Sequence, residues 1–196
     1  MIEVSKAKGS YIYDNNNKRY LDFVAGVSAC SLGHCNEKVI NAIKNQSEKY
    51  MHVMVYGEFI TKPSLDLARL LAKNLPESLN CTYFTNSGTE ALEGSMKLAR
   101  RHTGRKKIIA AKNAYHGSTM GALTLMGLDE RKKPFEPLIP DVEFINYNSF
   151  EDIYKIDKKT SCVILETIQG GAGFILPEKG YLSSVKKRCG DVGALL

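Results

Sequence analysis

Residue types able to do chemistry gather at three places in this chain. The first is Asn86-Ser87-Gly88-Thr89-Glu90-Ala91. It follows a short β-prone run at 82–85 and leads into a segment where Ala91, Leu92, Ser95, Leu98 and Ala99 share a helical spacing. Gly88 can take a positive φ there and let a ligand approach the backbone. Strand, small-residue turn and helix would aim free N–H groups and a positive dipole end at one spot, which suits an anion. A plainer account stays open, in which Ser87 or Thr89 simply caps a helix. The lysine of a Walker loop and the spacing of a dinucleotide fingerprint are both missing. The second and third places are Tyr115-His116-Gly117-Ser118-Thr119 and Glu166-Thr167-Ile168-Gln169-Gly170, each after a strand-like run. Tyr115 could offer a flat face, His116 could polarise a bound group, and Glu166 could face a pocket. Their structural alternatives are a packing aromatic, a loop bystander and an acid held by a basic neighbour.

These groups need elements to position them. From 82 onward strands are predicted at 82–85, 107–111, 142–146 and 162–166, alternating with helices at 89–102, 119–126, 150–156 and 180–189. That alternation predicts an α/β fold with a mainly parallel sheet and flanking helices, whose ligands gather beyond the C-terminal strand ends. All three clusters fall at such ends. Before them, 10–14 and 18–23 read as a hairpin around Asn15-Asn16-Asn17. A small-residue run with Gly26 and Gly33 follows, and then a helix capped by Asn36 and running to 49. The stretch 50–61 reads as an apolar loop with Met51, Met54, Tyr56 and Phe59, and Pro63 opens a helix to 74.

The 196 residues are 43% hydrophobic and 24% charged, a globular balance. No apolar run reaches membrane-spanning length and the N-terminus has no signal-peptide core, so no membrane partner is expected and the cytoplasm is the expected location. The five cysteines are scattered without a C-x-x-C, which argues against a disulfide framework; Cys81 and Cys162 read as small core residues. The four histidines lack metal-ligand spacing, and no metal site is predicted. A net charge of +6 comes from short basic clusters at helix ends and connections, which read as solvated faces; no nucleic-acid partner is expected.

Taken together, the three clusters resemble the class III (ornithine/acetylornithine-type) aminotransferases, pyridoxal 5'-phosphate enzymes of fold type I. The likeness spans nearly the whole chain, beginning with Asp22-Phe23 and Gly33-His34. It implies pyridoxal phosphate as cofactor, with Ser87, Gly88 and Thr89 at its phosphate, Tyr115 stacked on its ring, His116 beside it, and Glu166 as the one candidate catalytic residue. It also implies a small-molecule amino donor, a 2-oxo acid acceptor and a homodimer. By the same resemblance 1–50 would belong to a small α+β domain and 51–196 to part of the large cofactor domain. Glu90 and Glu93, in the first turns of the phosphate-side helix, would repel an anion unless turned away. Two positions depart from the pattern. Ser118 stands where acetylornithine-type enzymes usually carry an arginine that clamps a carboxylate, and Gly171 where ornithine-type members often carry glutamate. Residues 193–196 look like the start of the strand that delivers the family's pyridine-binding aspartate. That aspartate and the Schiff-base lysine are expected beyond it. A chain of this extent is therefore expected to correspond to an N-terminal half, inactive alone and with an unpaired sheet edge. The alternatives are a non-catalytic fragment or partner subunit, or another fold type I enzyme.

Overall fold

The computed structural model of the protein describes residues 1–54 and 56–196. They fall into two compact units, Met1–Thr82 and Tyr83–Leu196. The boundary expected near residue 50 lies inside the first unit, in the connection between its two helices.

In the first unit, β1 (Val4–Lys8), β2 (Tyr11–Asp14) and β3 (Arg19–Leu21) form an antiparallel sheet in that order. The predicted hairpin is β2–β3. Asp14 Oδ1 accepts from the N–H groups of Asn16 and Lys18, both at 2.9 Å, and Asn17 takes φ 60° in the turn. β1 escaped the sequence reading because its Val-Ser-Lys-Ala-Lys run has little β propensity; pairing with β2 recruits it. Asp22 then anchors the small-residue run. Its Oδ1 accepts from Val24 and Ala25 N–H, and its Oδ2 lies 2.7 Å from His34 Nε2. Between these anchors Ala25, Gly26, Val27 and Ser28 all have φ between 48° and 70°, a left-handed turn that L residues adopt only under constraint. α1 (Glu37–Ser47) starts at Asn36, whose side chain accepts from Lys38 and Val39 N–H, and α2 (Lys62–Asn74) carries Pro63 in its first turn. Val55 of the expected apolar loop lies outside the described residues; Met51, Met54, Tyr56 and Phe59 around it are exposed.

The second unit contains α3 (Gly88–Thr103), β4 (Lys107–Ala111), α4 (Met120–Thr124), α5 (Asp129–Lys132), β5 (Val142–Ile145), β6 (Thr160–Ile164) and α6 (Tyr181–Val192). β4 lies between β5 and β6, parallel to both, and Leu195 continues the sheet by a parallel bridge to Cys162. The alternation of β4 sends side chains to two cores. Ile109 joins Ile145, Val163 and the α6 residues Tyr181, Val185 and Cys189 on one face. Ile108 and Ala110 join Met96 and Ala99 of α3, Leu125 and Cys162 on the other.

Several expectations are corrected. The run 82–85 is not a strand: it has no ladder partner among the described residues, and Tyr83 is 86% exposed. β propensity without a neighbouring strand leaves a segment merely extended. Cys81 is exposed, while Cys162 is buried as expected. The helix predicted at 150–156 is a 3₁₀ turn, Asp152–Lys155, pinned where Asp152 Oδ2 accepts from Asn146 N–H at 2.6 Å. The strand placed at 162–166 begins and ends two residues earlier, so Glu166 stands in the loop beyond it. α3 turns Leu92, Met96 and Ala99 inward, and leaves Ala91, Ser95 and Leu98 exposed.

One side chain closes the base of this unit. Arg105 Nη1 lies 3.1 Å from Thr160 O, 2.9 Å from Val192 O and 3.0 Å from Gly193 O, joining β6 to the C-terminal end of α6. Arg105→Met is expected to cost about 2 kcal/mol in urea unfolding, because hydrogen bonds from a charged donor are lost. A loss below about 0.5 kcal/mol, the range of inert surface changes, would show that water replaces the guanidinium.

Candidate active site

The site assembles from the N-terminus of α3 and the loops after β4 and β6. Ser87 is the N-cap of α3 (φ −155°, ψ 161°), and its hydroxyl accepts from Glu90 N–H at 3.3 Å. The Glu90 carboxylate reaches back to Asn86 N–H at 2.7 Å, close to a capping box. Gly88 lies within the helix, not at positive φ, and a Cβ on it would meet nothing within 4 Å. Among the described residues no acceptor meets the N–H groups of Gly88 or Thr89. The first turn therefore leaves two unclaimed donors, with the positive end of a 16-residue helix behind them.

Both carboxylates that might repel an anion already have backbone donors of their own. Glu90 is turned to Asn86, as above. Glu93 Oε1 accepts from Gly121 N–H at 2.8 Å and Ala122 N–H at 3.3 Å, at the N-terminus of α4. One turn away on α3, Thr89 Oγ1 lies 2.7 Å from Thr119 Oγ1 and accepts from Thr119 N–H at 3.3 Å. Only the backbone of Thr89 is left for a ligand. Gly117 (φ 130°) sits so close that a Cβ would overlap the Thr89 side chain.

The loop after β4 carries Tyr115, His116 and Ser118. Tyr115 is 45% exposed; its N–H donates to Glu166 Oε2 at 3.2 Å, and its hydroxyl lies 3.3 Å from Ser118 Oγ. Gly171 approaches from the loop after β6, where a Cβ would make ordinary contact with Tyr115 Cβ at 3.5 Å. His116 Nε2 is buried without a hydrogen-bond partner. Burial holds the His116 pKa below the usual imidazole value, partly countered by the negative charge of Glu166. A buried histidine of this kind costs folding stability as pH falls. The unfolded chain takes up a proton near pH 6.5 while the folded one resists until lower pH. Stability is therefore expected to rise with pH from the folded His116 pKa to about 6.5. An NMR titration should place the His116 midpoint below about 6.5; a midpoint at or above it would contradict the burial.

Glu166 completes the arrangement. Its Oε2 takes Tyr115 N–H and its Oε1 takes Gly170 N–H at 3.1 Å, so it is held by two backbone donors. The loop itself is fixed by Tyr147 Oη donating to Thr167 O at 2.8 Å and by Gln169, 1% exposed, whose amide donates to Lys112 O at 2.9 Å. Ser87, Gly88 and Thr89 thus open a helix whose Thr89 meets Thr119 at the end of the loop carrying Tyr115 and His116, and Tyr115 in turn meets Glu166 beyond β6. The sequence by itself assigned no role to Thr119, Tyr147 or Gln169, and showed Glu93 as a charge that favours the helix yet repels an anion. Its usable signal was Thr89 and Glu93 at i, i+4 opposite the alternating Gly117, Thr119 and Gly121. Among the described residues no group of three His, Cys, Asp or Glu could hold a metal ion.

The family model for class-III aminotransferases matches residues 1–196. This chain belongs to the class III aminotransferases. It is 40% identical over 196 residues to the acetylornithine aminotransferase of Methanopyrus kandleri, covering all of this chain and 50% of that protein. It is 38% identical to the [LysW]-aminoadipate semialdehyde/glutamate semialdehyde transaminase of Sulfolobus acidocaldarius, over all of this chain and 50% of that one. Its structure aligns with ornithine aminotransferase from Toxoplasma gondii at TM-score 0.87 and 28% identity, covering 99% of this chain and 48% of that one. With adenosylmethionine-8-amino-7-oxononanoate aminotransferase from Methanocaldococcus jannaschii the TM-score is 0.90 at 30% identity, over 100% and 48%. The chain thus spans about half the length of the curated relatives it matches. The fold is that of the fold type I aminotransferases, with a parallel sheet, flanking helices and an antiparallel N-terminal sheet. The cofactor of class III aminotransferases is pyridoxal phosphate. Residues of this site fit it: unclaimed donors at Gly88 and Thr89 for the phosphate, a half-exposed ring face at Tyr115, and an orphaned buried nitrogen at His116.

Proposed function

We propose that the protein to which these residues belong is a pyridoxal phosphate-dependent aminotransferase. It would move an amino group from the terminal amine of ornithine, N-acetylornithine or a related ω-amino substrate to a 2-oxo acid. The observation that carries this reading is the pair of unclaimed N–H groups at Gly88 and Thr89, with the Glu93 carboxylate drawn off to α4 and that of Glu90 already bonded to Asn86 N–H. When bound, pyridoxal phosphate supplies an electron sink for charge at the carbon bearing the amino group. The chain's own groups would bind and orient it. Ser87, Gly88 and Thr89 would hold the phosphate at the dipole end of α3. Tyr115 would cover one ring face, with its backbone fixed by Glu166. His116, kept neutral by burial, would offer Nε2 as a hydrogen-bond partner without adding charge.

The names of two relatives support a terminal amine as donor. One is named for acetylornithine and another for two semialdehydes, which are carbonyl partners of terminal amines. Ser118 supplies no guanidinium, and its Oγ lies beside the Tyr115 hydroxyl. A substrate carboxylate would therefore find no bidentate clamp at this position. The working assembly would be a homodimer in the cytoplasm.

The experiment is a transfer assay on the product of the native gene, with ornithine, N-acetylornithine and a monoamine lacking a carboxylate as donors and 2-oxoglutarate as acceptor. Cofactor retention is read in parallel by absorbance. Transfer from a terminal amine with cofactor bound supports the reading. Cofactor binding with no transfer from any donor favours a non-catalytic partner subunit. Neither binding nor transfer overturns both.

A further inference from the structure

We propose that Glu93 is a positioning residue for the cofactor site: it locks the loop carrying Tyr115 and His116 to the same helix that offers the anion-binding N–H groups. The inference rests on the pyridoxal phosphate reading but concerns a residue to which that reading assigns no task. α4 is five residues long, too short to hold itself in place, and its N-cap Thr119 makes no capping bond from its own side chain. The N-terminal donors of α4 are satisfied from α3 instead. Thr89 Oγ1 accepts from Thr119 N–H, and Glu93 Oε1 accepts from both Gly121 and Ala122 N–H. Thr89 and Glu93 are four residues apart, on one face of α3. Two glycines make the approach possible. A Cβ at Gly117 would overlap the Thr89 side chain, and a Cβ at Gly121 would overlap the Glu93 carboxylate and Met96. The sequence of small, hydroxyl and small residues at 117, 119 and 121 is therefore complementary to the Thr89/Glu93 face.

This contact does two jobs. It draws the Glu93 charge onto the N-terminus of α4, where a carboxylate is favoured, and away from the anion donors at Gly88 and Thr89. It also fixes one end of the 112–119 loop against α3, while Glu166 fixes Tyr115 from the β6 side. Tyr115 and His116 sit between the two restraints. Removal of the Glu93 acceptor leaves the N–H groups of Gly121 and Ala122 unpaired and frees the α4 end of that loop.

The test uses the product of the native gene and its Glu93→Ala, Glu93→Gln and Gly121→Ala variants. Two readouts are taken: the dissociation constant for pyridoxal phosphate, and amide hydrogen exchange over 115–122 with α6 as internal reference. Glu93→Ala is expected to weaken pyridoxal phosphate about tenfold, the size of one lost hydrogen bond to a charged group. Exchange should quicken over 115–122 and not in α6. Glu93→Gln keeps an acceptor oxygen and should restore most of the affinity. Gly121→Ala pushes the carboxylate off without changing it and should repeat the loss; it also decides the matter should Glu93→Ala fail to fold. Unchanged affinity in folded Glu93→Ala, or an equal loss of protection in α6 and 115–122, would overturn the proposal. Should the unaltered product of the native gene not bind pyridoxal phosphate, the cofactor reading fails, and exchange alone decides: selective loss over 115–122 upholds the Glu93 lock, and unchanged exchange refutes it.

Discussion

Gly127→Ala is expected to destabilise the Tyr83–Leu196 unit by about 3 kcal/mol or more, because the added methyl would meet backbone on three sides. The argument is spatial. Gly127 does not have a positive φ, so its backbone could accommodate alanine. A Cβ there would overlap Asn113 N, Ala111 O and Lys112 C, all of them backbone atoms that no rotamer change can move. The close approach exists because Gly127 pairs with the loop after β4. Asn113 N–H donates to Gly127 O at 3.1 Å, and Gly127 N–H donates to Ala114 O at 3.0 Å. Overpacking in a rigid surround costs about 1–3 kcal/mol, and parting the two bonds adds about 1 kcal/mol each. Urea unfolding of Gly127→Ala gives the figure. Gly94→Ala is the control: it lies inside α3 with nothing within 4 Å, and should be neutral or stabilising by up to about 1 kcal/mol. A Gly127→Ala midpoint equal to that of the unaltered chain would mean that the loop has room to retreat, and its geometry could not then be counted as rigid.

How the site is encoded explains what could be read in advance. Elements with their own local signals were legible: Asn36 before α1, Pro63 in α2, Ser87 before α3, the asparagine turn between β2 and β3, and the apolar run of β4. The three chemical clusters were legible because each lies just past a strand or at a helix start, where side chains and N–H groups are free to face a ligand. What escaped depends on partners distant in sequence. β1 is a strand because β2 pairs with it, and 82–85 is not one because no described residue does. Propensity alone cannot distinguish those cases. Glu93 looked like a misplaced charge until Gly121 and Ala122, 28 and 29 residues on, were seen to donate to it. The carboxylate that seems to oppose anion binding is the group that holds the loop beside it.

Glu166 poses the sharper functional question, since glutamine, its nearest isostere, should fail there. Each carboxylate oxygen accepts one backbone N–H, Oε2 from Tyr115 and Oε1 from Gly170. An amide has one acceptor oxygen and one donor nitrogen, so Glu166→Gln must face an N–H with an NH₂ on one side. The variant therefore loses one bond from a charged acceptor and gains a donor–donor clash, a cost of about 1–2 kcal/mol at these half-exposed groups. Glutamine should thus be little better than alanine in holding Tyr115, the reverse of the order expected at Glu93. Amide exchange at Tyr115 and Gly170 reads the loss directly. A second readout separates charge from geometry. The Glu166 charge raises the pKa of His116 against the effect of burial, so Glu166→Gln should move the His116 midpoint further down. The same charge helps to raise the Tyr147 pKa, which should fall in the variant. Retained protection at both amides with an unmoved His116 would mean that Glu166 neither clamps the loop nor shares its electrostatics with the imidazole. A lowered His116 midpoint with intact protection would leave Glu166 a purely electrostatic neighbour, and Tyr115 would then owe its place to the α3 side of the loop alone.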